Sequence, residues 1–303
     1  MNTEQLRAEI DRLKKEKNAV ILAHNYQIGE VQDCADYVGD SYALAKIAAK
    51  TNNEIIVFCG VHFMAESAKI LNPTKTVLLP VKDAGCPMAD MVDAEGLRKL
   101  KADHPDAVVV TYINSSAEVK AESDIICTSS NALKVVSSLS AKKIIFVPDE
   151  NLGRYIAKRI PEKEFILWKG FCITHKRVKP EELDKIRNLY PDAKILVHPE
   201  CVPEVQEKAD FIGSTTEIIE YAGSIKEKDI IVGTEEGVIH IMRKKYPDKN
   251  FYLLSPGLVC PNMKKTRLQD VYDSLNEMKY VIEVAPEVRM KSLKALEEML
   301  RLG

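Results

Sequence analysis

The sequence predicts an α/β protein made of three homologous three-layer α/β/α units, set with pseudo-threefold symmetry around a central cavity. Three observations carry that expectation. A helix-then-strand pattern recurs three times, a hydroxyl residue follows each strand end at one fixed distance, and each copy closes on a loop that holds a single cysteine. Such regularity over about 87 residues is too long for an ordinary solenoid repeat of ~20–50 residues.

The first element of each copy is an amphipathic helical stretch running into a short apolar, largely β-branched strand: Gln5–Tyr26, Glu95–Asn114 and Glu181–Glu200. Lys and Arg concentrate late in each helical part, where they complement the helix C-terminus. The strands end in polar residues, His24-Asn25-Tyr26, Tyr112-Ile113-Asn114 and His198-Pro199-Glu200. Seventeen positions beyond His24, Tyr112 and His198 stand Ser41, Ser129 and Thr215. Each precedes a helical stretch, so these hydroxyls are expected to be N-caps.

A second strand follows in each copy, Glu54–Cys59, Lys143–Val147 and Asp229–Val232, leading into helices near Ala65–Leu71, Leu152–Arg159 and Val238–Lys245. A third strand comes next, Thr76–Pro80, Glu164–Trp168 and Asn250–Leu254. Beyond it lie the loops with Gly85-Cys86-Pro87, Gly170-Phe171-Cys172 and Gly257-Leu258-Val259-Cys260-Pro261, their cysteines 86 and 88 residues apart. The expected boundaries are 1–92, 93–178 and 179–265 for the three units, with 266–303 as a closing strand and helix.

Composition narrows the function. The chain has 303 residues, 46% apolar and 29% charged, with a formal net charge of −2. No strongly basic face is implied, so nucleic acid is not expected as a partner. Apolar runs such as Ile144–Val147 are too short to span a bilayer, and Met1–Lys17 lacks the apolar middle of a secretory signal. A cytoplasmic location is the expectation. There, seven cysteines are not expected to form disulfide staples, and none stands in a C-x-x-C pair.

Parallel sheets place ligands at the carboxyl ends of their strands, where the polar doublets and the cysteine loops fall. Cys86, Cys172 and Cys260 are therefore read as three converging thiolates. They suit a catalytic zinc with one open position or, the preferred reading, an iron–sulfur cubane with one iron free of protein ligands. The doublets His24/Tyr26, Tyr112/Asn114 and His198/Glu200 mix proton-transfer groups with an orienting amide. Helix N-termini beside Ser41, Ser129 and Thr215 suit carboxylates or phosphate. Cys34, Cys59 and Cys127 are read as packing, Cys201 as core or site surroundings, and His175 as a hydrogen-bond candidate within the site. No Walker or G-x-G-x-x-G motif supports nucleotide binding.

Several segments carry a resemblance over nearly the whole chain: AHNYQ (Ala23–Gln27), GDSYALA (Gly39–Ala45), YINSSAEVKA (Tyr112–Ala121), CTSSNA (Cys127–Ala132), PDENLGRY (Pro148–Tyr155), VHPEC (Val197–Cys201) and GSTT (Gly213–Thr216). Together they resemble the quinolinate synthase family. The resemblance implies a [4Fe–4S] cluster on Cys86, Cys172 and Cys260, with substrate contacts from His24, Ser41, Tyr112, Asn114, Ser129, His198, Glu200 and Thr215. It makes Tyr26 an acid/base candidate, joined by His198 and Glu200 as catalytic residues. It implies condensation of iminoaspartate with dihydroxyacetone phosphate to quinolinate, which feeds NAD biosynthesis. An aspartate-oxidising enzyme that supplies iminoaspartate is the implied protein partner. Some family members carry C-x-x-C-x-x-C near the third ligand. Here only Cys260 stands there, so redox control by a nearby disulfide is not implied. The competing readings are other three-unit iron–sulfur enzymes, of the diphthamide-forming or isoprenoid reductase type, a non-catalytic iron–sulfur sensor, and a zinc lyase.

Overall fold

A computed structural model describes residues 1–303. Three four-stranded sheets, all parallel, follow one another along the chain. The first holds β1 (Ala19–His24), β2 (Tyr37–Gly39), β3 (Ile55–Cys59) and β4 (Thr76–Leu78) in the order β2-β1-β3-β4. The second repeats it with β5 (Val108–Tyr112), β6 (Ile125–Cys127), β7 (Lys143–Val147) and β8 (Glu164–Leu167) in the order β6-β5-β7-β8. The third does so with β9 (Lys194–Val197), β10 (Phe211–Ile212), β11 (Asp229–Gly233) and β12 (Asn250–Leu253) in the order β10-β9-β11-β12. The chain is thus an α/β protein of three similar units.

Each unit has one strand more than the sequence predicts. β2, β6 and β10 are only two or three residues long, too short for alternation to show. An aspartate just before each one pins it to its neighbour. Asp36, Asp124 and Asp210 accept the backbone N–H of Ile21, Val109 and Ile195 at 2.8, 2.7 and 2.8 Å.

Helices cover both faces of the sheets, so the central strands read as apolar runs rather than alternations. All six residues of β1 are buried. The opening helix Thr3–Glu16 starts from an Asn2–Gln5 capping box and buries Leu6, Ile10 and Leu13, one stripe at helical spacing. The closing segment differs from the expected strand and helix. It forms two helices, Leu268–Glu277 and Pro286–Leu302, and its strand shrinks to a bridge between Val281 and Leu78. Pro286 sets the start of the last helix. Its buried residues Ser292, Ala295, Leu296 and Met299 lie on one face. Ala295, Leu296 and Met299 join one continuous core with Leu22 and Ile56 of the first unit and Val110 and Phe146 of the second. The third unit keeps separate cores on the two faces of its sheet. No helix is long and apolar enough to cross a membrane.

Candidate active site

The carboxyl ends of the three sheets open on one cavity of about 160 Å³. Every residue singled out in the sequence lies on its wall: His24, Tyr26, Ser41, Cys86, Tyr112, Asn114, Ser129, Cys172, His198, Glu200, Thr215 and Cys260.

The first-strand ends are held by a device repeated in all three copies. Eight positions past His24, Tyr112 and His198, a buried donor reaches back under the turn. Gln32 Nε2 donates to the carbonyls of Asn25 and Gln27 at 3.0 and 2.8 Å. Gln206 Nε2 donates to those of Pro199 and Cys201 at 2.8 and 2.7 Å, and Lys120 Nζ to that of Ser115. Gln32 also donates to the Gly237 carbonyl at 2.9 Å, joining the first unit to the third. Gly237 must be glycine there, since a Cβ would lie 2.8 Å from the Asn25 carbonyl oxygen.

The two histidines share one tautomer. The Tyr26 amide donates to His24 Nδ1 at 3.1 Å, and the Glu200 amide to His198 Nδ1 at 3.3 Å. In each neutral ring the proton therefore sits on Nε2, which in His198 donates to Ser129 Oγ at 3.2 Å. Burial holds both imidazoles down, His24 at about 4 and His198 at about 3, so both are neutral near pH 7.

Glu200 is only 3% exposed. It accepts the Tyr112 hydroxyl at 2.7 Å and faces His175 Nδ1 at 2.7 Å. Burial pushes its carboxyl up, but the hydrogen bonds from His175 and Tyr112 outweigh that and hold it below its ordinary value. His175 Nε2 meets Thr234 Oγ1 at 2.9 Å, and Thr234 meets the Tyr26 hydroxyl at 2.7 Å. A single hydrogen-bonded row results. Tyr26 donates to Thr234, Thr234 to His175, and His175 to Glu200, each group having one donor to give. Tyr26 also meets Thr215 at 2.9 Å. The sequence marked His175 only as a candidate; its place between Glu200 and Cys172, whose Sγ lies 3.2 Å from Nδ1, makes it a central member of the cavity wall.

The cap expectation for Ser41, Ser129 and Thr215 is corrected. The caps are Asp40, Asn131 and Ser214. Asp40 accepts from the Ala43 amide, and Ser214 forms a capping box with Glu217. With that task done one residue earlier, Ser41 and Thr215 are the first helical residues, while Ser129 lies in the turn ahead of its helix. None of these hydroxyls is spent on a cap, and those of Ser129 and Thr215 instead meet His198 and Tyr26 on the cavity wall.

Asp40 does more than cap. Its other oxygen accepts from Ser130 Oγ and Thr216 Oγ1, both at 2.6 Å, so one carboxylate ties the three hydroxyl-bearing segments together. The Asp-Ser step in GDSYALA was a legible cap signal; its reach to the other two units was not.

Of the seven cysteines only Cys86, Cys172 and Cys260 are not fully buried. Cys34, Cys59, Cys127 and Cys201 are core residues. Burial pushes the thiols on the cavity upward, Cys86 to about 12. Each therefore keeps its proton unless a metal centre displaces it. One closer set is present as well: ligand atoms of Cys172, His175 and Glu200 lie within 4.8 Å of one another. Asn114 Oδ1, also on the cavity wall, is buried without a partner in the chain.

Fold and cavity define a class, an α/β enzyme of three similar units whose strand ends share one polar, thiol-bearing chamber. Residues 8–301 match the family described as quinolinate synthetase A protein. The quinolinate synthase of Alkaliphilus metalliredigens is 60% identical over 302 residues, covering all of both chains. That of Caldicellulosiruptor bescii is 58% identical over 303 residues, again end to end. The Clostridium kluyveri enzyme is 58% identical over 294 residues, 97% of each chain. The chain belongs to the quinolinate synthase family.

Proposed function

We propose that the chain condenses iminoaspartate with dihydroxyacetone phosphate to give quinolinate, phosphate and two waters, around a [4Fe–4S] cluster on Cys86, Cys172 and Cys260. The observation that carries this reading is the convergence of three equivalent loops, which bring these three of seven cysteines to a chamber lined by His24, Tyr26, Tyr112, His198 and Glu200.

The donor set fits the group. Three thiolates around one zinc would bring their sulfurs to ~3.8 Å from one another. No such close set includes Cys86 or Cys260, so the thiols suit a body larger than one ion. Soft thiolates favour iron–sulfur chemistry. When bound, the cluster supplies a Lewis acid at the iron that no cysteine holds.

The chain's own residues do the rest. Ser41, Ser129 and Thr215 offer hydroxyls to carboxylate and phosphate oxygens, beside helix starts that favour anions. Neutral His24 and His198 present Nε2–H as donors without adding charge. The Glu200 carboxylate is the base for carbon-bound protons. Tyr26 gives or takes a proton at its hydroxyl through Thr234 and His175. Buried walls exclude water and so protect the imine from hydrolysis.

Anaerobic turnover of iminoaspartate and dihydroxyacetone phosphate should yield quinolinate; its absence from a sample replete in iron and sulfide would overturn the reading. A second reading rests on the close set of Cys172, His175 and Glu200, which could hold a single zinc. Metal analysis decides: stoichiometric zinc in a colourless, active protein would favour it. Asp40→Ala should raise KM for the anionic substrates ~10-fold or more, the equivalent of one charge-assisted hydrogen bond. Iron content should not change. An unaltered KM would show that the tie between the three segments does not position them.

A further inference from the structure

Two carboxylates beside the cysteine loops have no part in the chemistry above, and their positions are equivalent. Ala23 pairs with Cys59, Thr111 with Val147 and Val197 with Gly233. Two residues beyond these partners stand Val61, Asp149 and Glu235. A second registration agrees. The next residues, His62, Glu150 and Glu236, donate their amides to Ala84, Gly170 and Leu258 at 2.8, 2.8 and 2.9 Å. Each acceptor lies two residues before its cysteine. The same backbone clamp therefore seats all three loops.

The side chains at this position differ. Asp149 accepts the backbone N–H of Cys172 at 3.1 Å, and Glu235 accepts that of Cys260 at 3.0 Å. Both carboxylates are fully buried. Asp149 spends its other oxygen on the Leu152 amide at 2.7 Å. Glu235 spends its other on the Gly237 amide at 2.8 Å and is paired with Lys264 at 2.9 Å. In the first unit the position is apolar Val61, and no side chain holds the Cys86 amide. Packing tightens the second loop further, since a Cβ at Gly170 would run into the Pro148 carbonyl.

We propose that Asp149 and Glu235 are positioning residues for the metal centre. They fix Cys172 and Cys260 in ligating posture by taking each cysteine's own amide, and they leave Cys86 as the ligand held by its backbone clamp alone. This rests on the iron–sulfur reading above. Partners of metal ligands typically govern affinity by about 10- to 100-fold, and charge beside a cluster sets its reduction potential.

Asp149→Asn is the sharpest test. The amide oxygen keeps the cap on Leu152, while the NH2 group turns a donor toward the Cys172 amide and cannot accept from it. Anaerobically loaded protein would be challenged with EDTA and the loss of cluster absorbance timed. Asp149→Asn and Glu235→Gln should lose the cluster about 10- to 100-fold faster than the parent. The reduction potential of Glu235→Gln should rise, because it removes the negative charge that Lys264 pairs with on Glu235, and that loss favours the more negative reduced state. Val61→Ala removes no such tie and should match the parent. Parent-like loss from the Asn and Gln variants would overturn the proposal. So would faster loss from all three, or loss that only tracks a lowered thermal midpoint of the unloaded chain. A parent protein that takes up no iron and sulfide would instead remove the cluster reading itself.

Discussion

Glu200→Gln should leave iron content and cluster absorbance at parental levels while lowering kcat by about 10²- to 10⁴-fold, the usual share of a general base. Two losses combine at this position. The anion disappears, while the other carboxylates on the wall, Asp40 and Glu235, stay committed to Ser130 and Thr216 and to the Cys260 and Gly237 amides, and His24 and His198 are committed as Nε2–H donors. The hydrogen-bonded row also breaks. Glu200 accepts from Tyr112 on one oxygen and faces His175 Nδ1 on the other. An amide can keep the first bond, but its NH2 then meets the His175 N–H, donor against donor. His175 must change tautomer, and Thr234 and Tyr26 must reorient with it. Tyr26→Phe interrupts the row at its far end and should also lose most of the activity with the cluster kept. Turnover close to the parent in a Glu200→Gln sample of equal iron content would remove Glu200 from the role of base.

Much of this arrangement was legible in the sequence because the repeat multiplies weak signals. A single His at a strand end says little, whereas His24, Tyr112 and His198 at matching places mark a shared chamber, and the cavity wall gathers all three. The central strands were legible because parallel strands buried on both faces are plain apolar runs. The edge strands β2, β6 and β10 were not, since what fixes them is an aspartate reaching across to a neighbouring amide. Similar reasons hid the groups that set the site. Gln32, Lys120 and Gln206 are unlike in type and act on turn carbonyls. Asp40 looks like a local cap, and only the packing of three units brings Ser130 and Thr216 to it. The closing strand failed for another reason: residues 280–282 pair with β4 for so short a stretch that a bridge is all that forms. The proposed substrates come only from the resemblance, because carboxylate and phosphate make the same demand on a hydroxyl and a helix start.

Cys260→Ser should strip most of the iron from anaerobically prepared protein and abolish turnover, whereas Cys34→Ser should keep both. The contrast lies in what surrounds each sulfur. Cys260 sits in a loop on the chamber wall, its amide held by Glu235, with Cys86 and Cys172 on the same wall. A serine oxygen there is hard, poorly matched to iron–sulfur chemistry, and gives up its proton less readily than a thiol. Cys34 instead packs in the core of the first unit and donates to the Val31 carbonyl at 3.3 Å. Burial pushes its thiol up to about 12, so it stays protonated and inert. Serine can make the same local bond, at a cost of ~1–3 kcal/mol for burying a more polar group. Thermal melting should register that cost while iron per chain does not. Equal iron loss from the two variants would mean that exposure to the chamber does not select the ligands. Full iron retention by Cys260→Ser would move the metal site to Cys172, His175 and Glu200, the one set in the chamber that does not need Cys260.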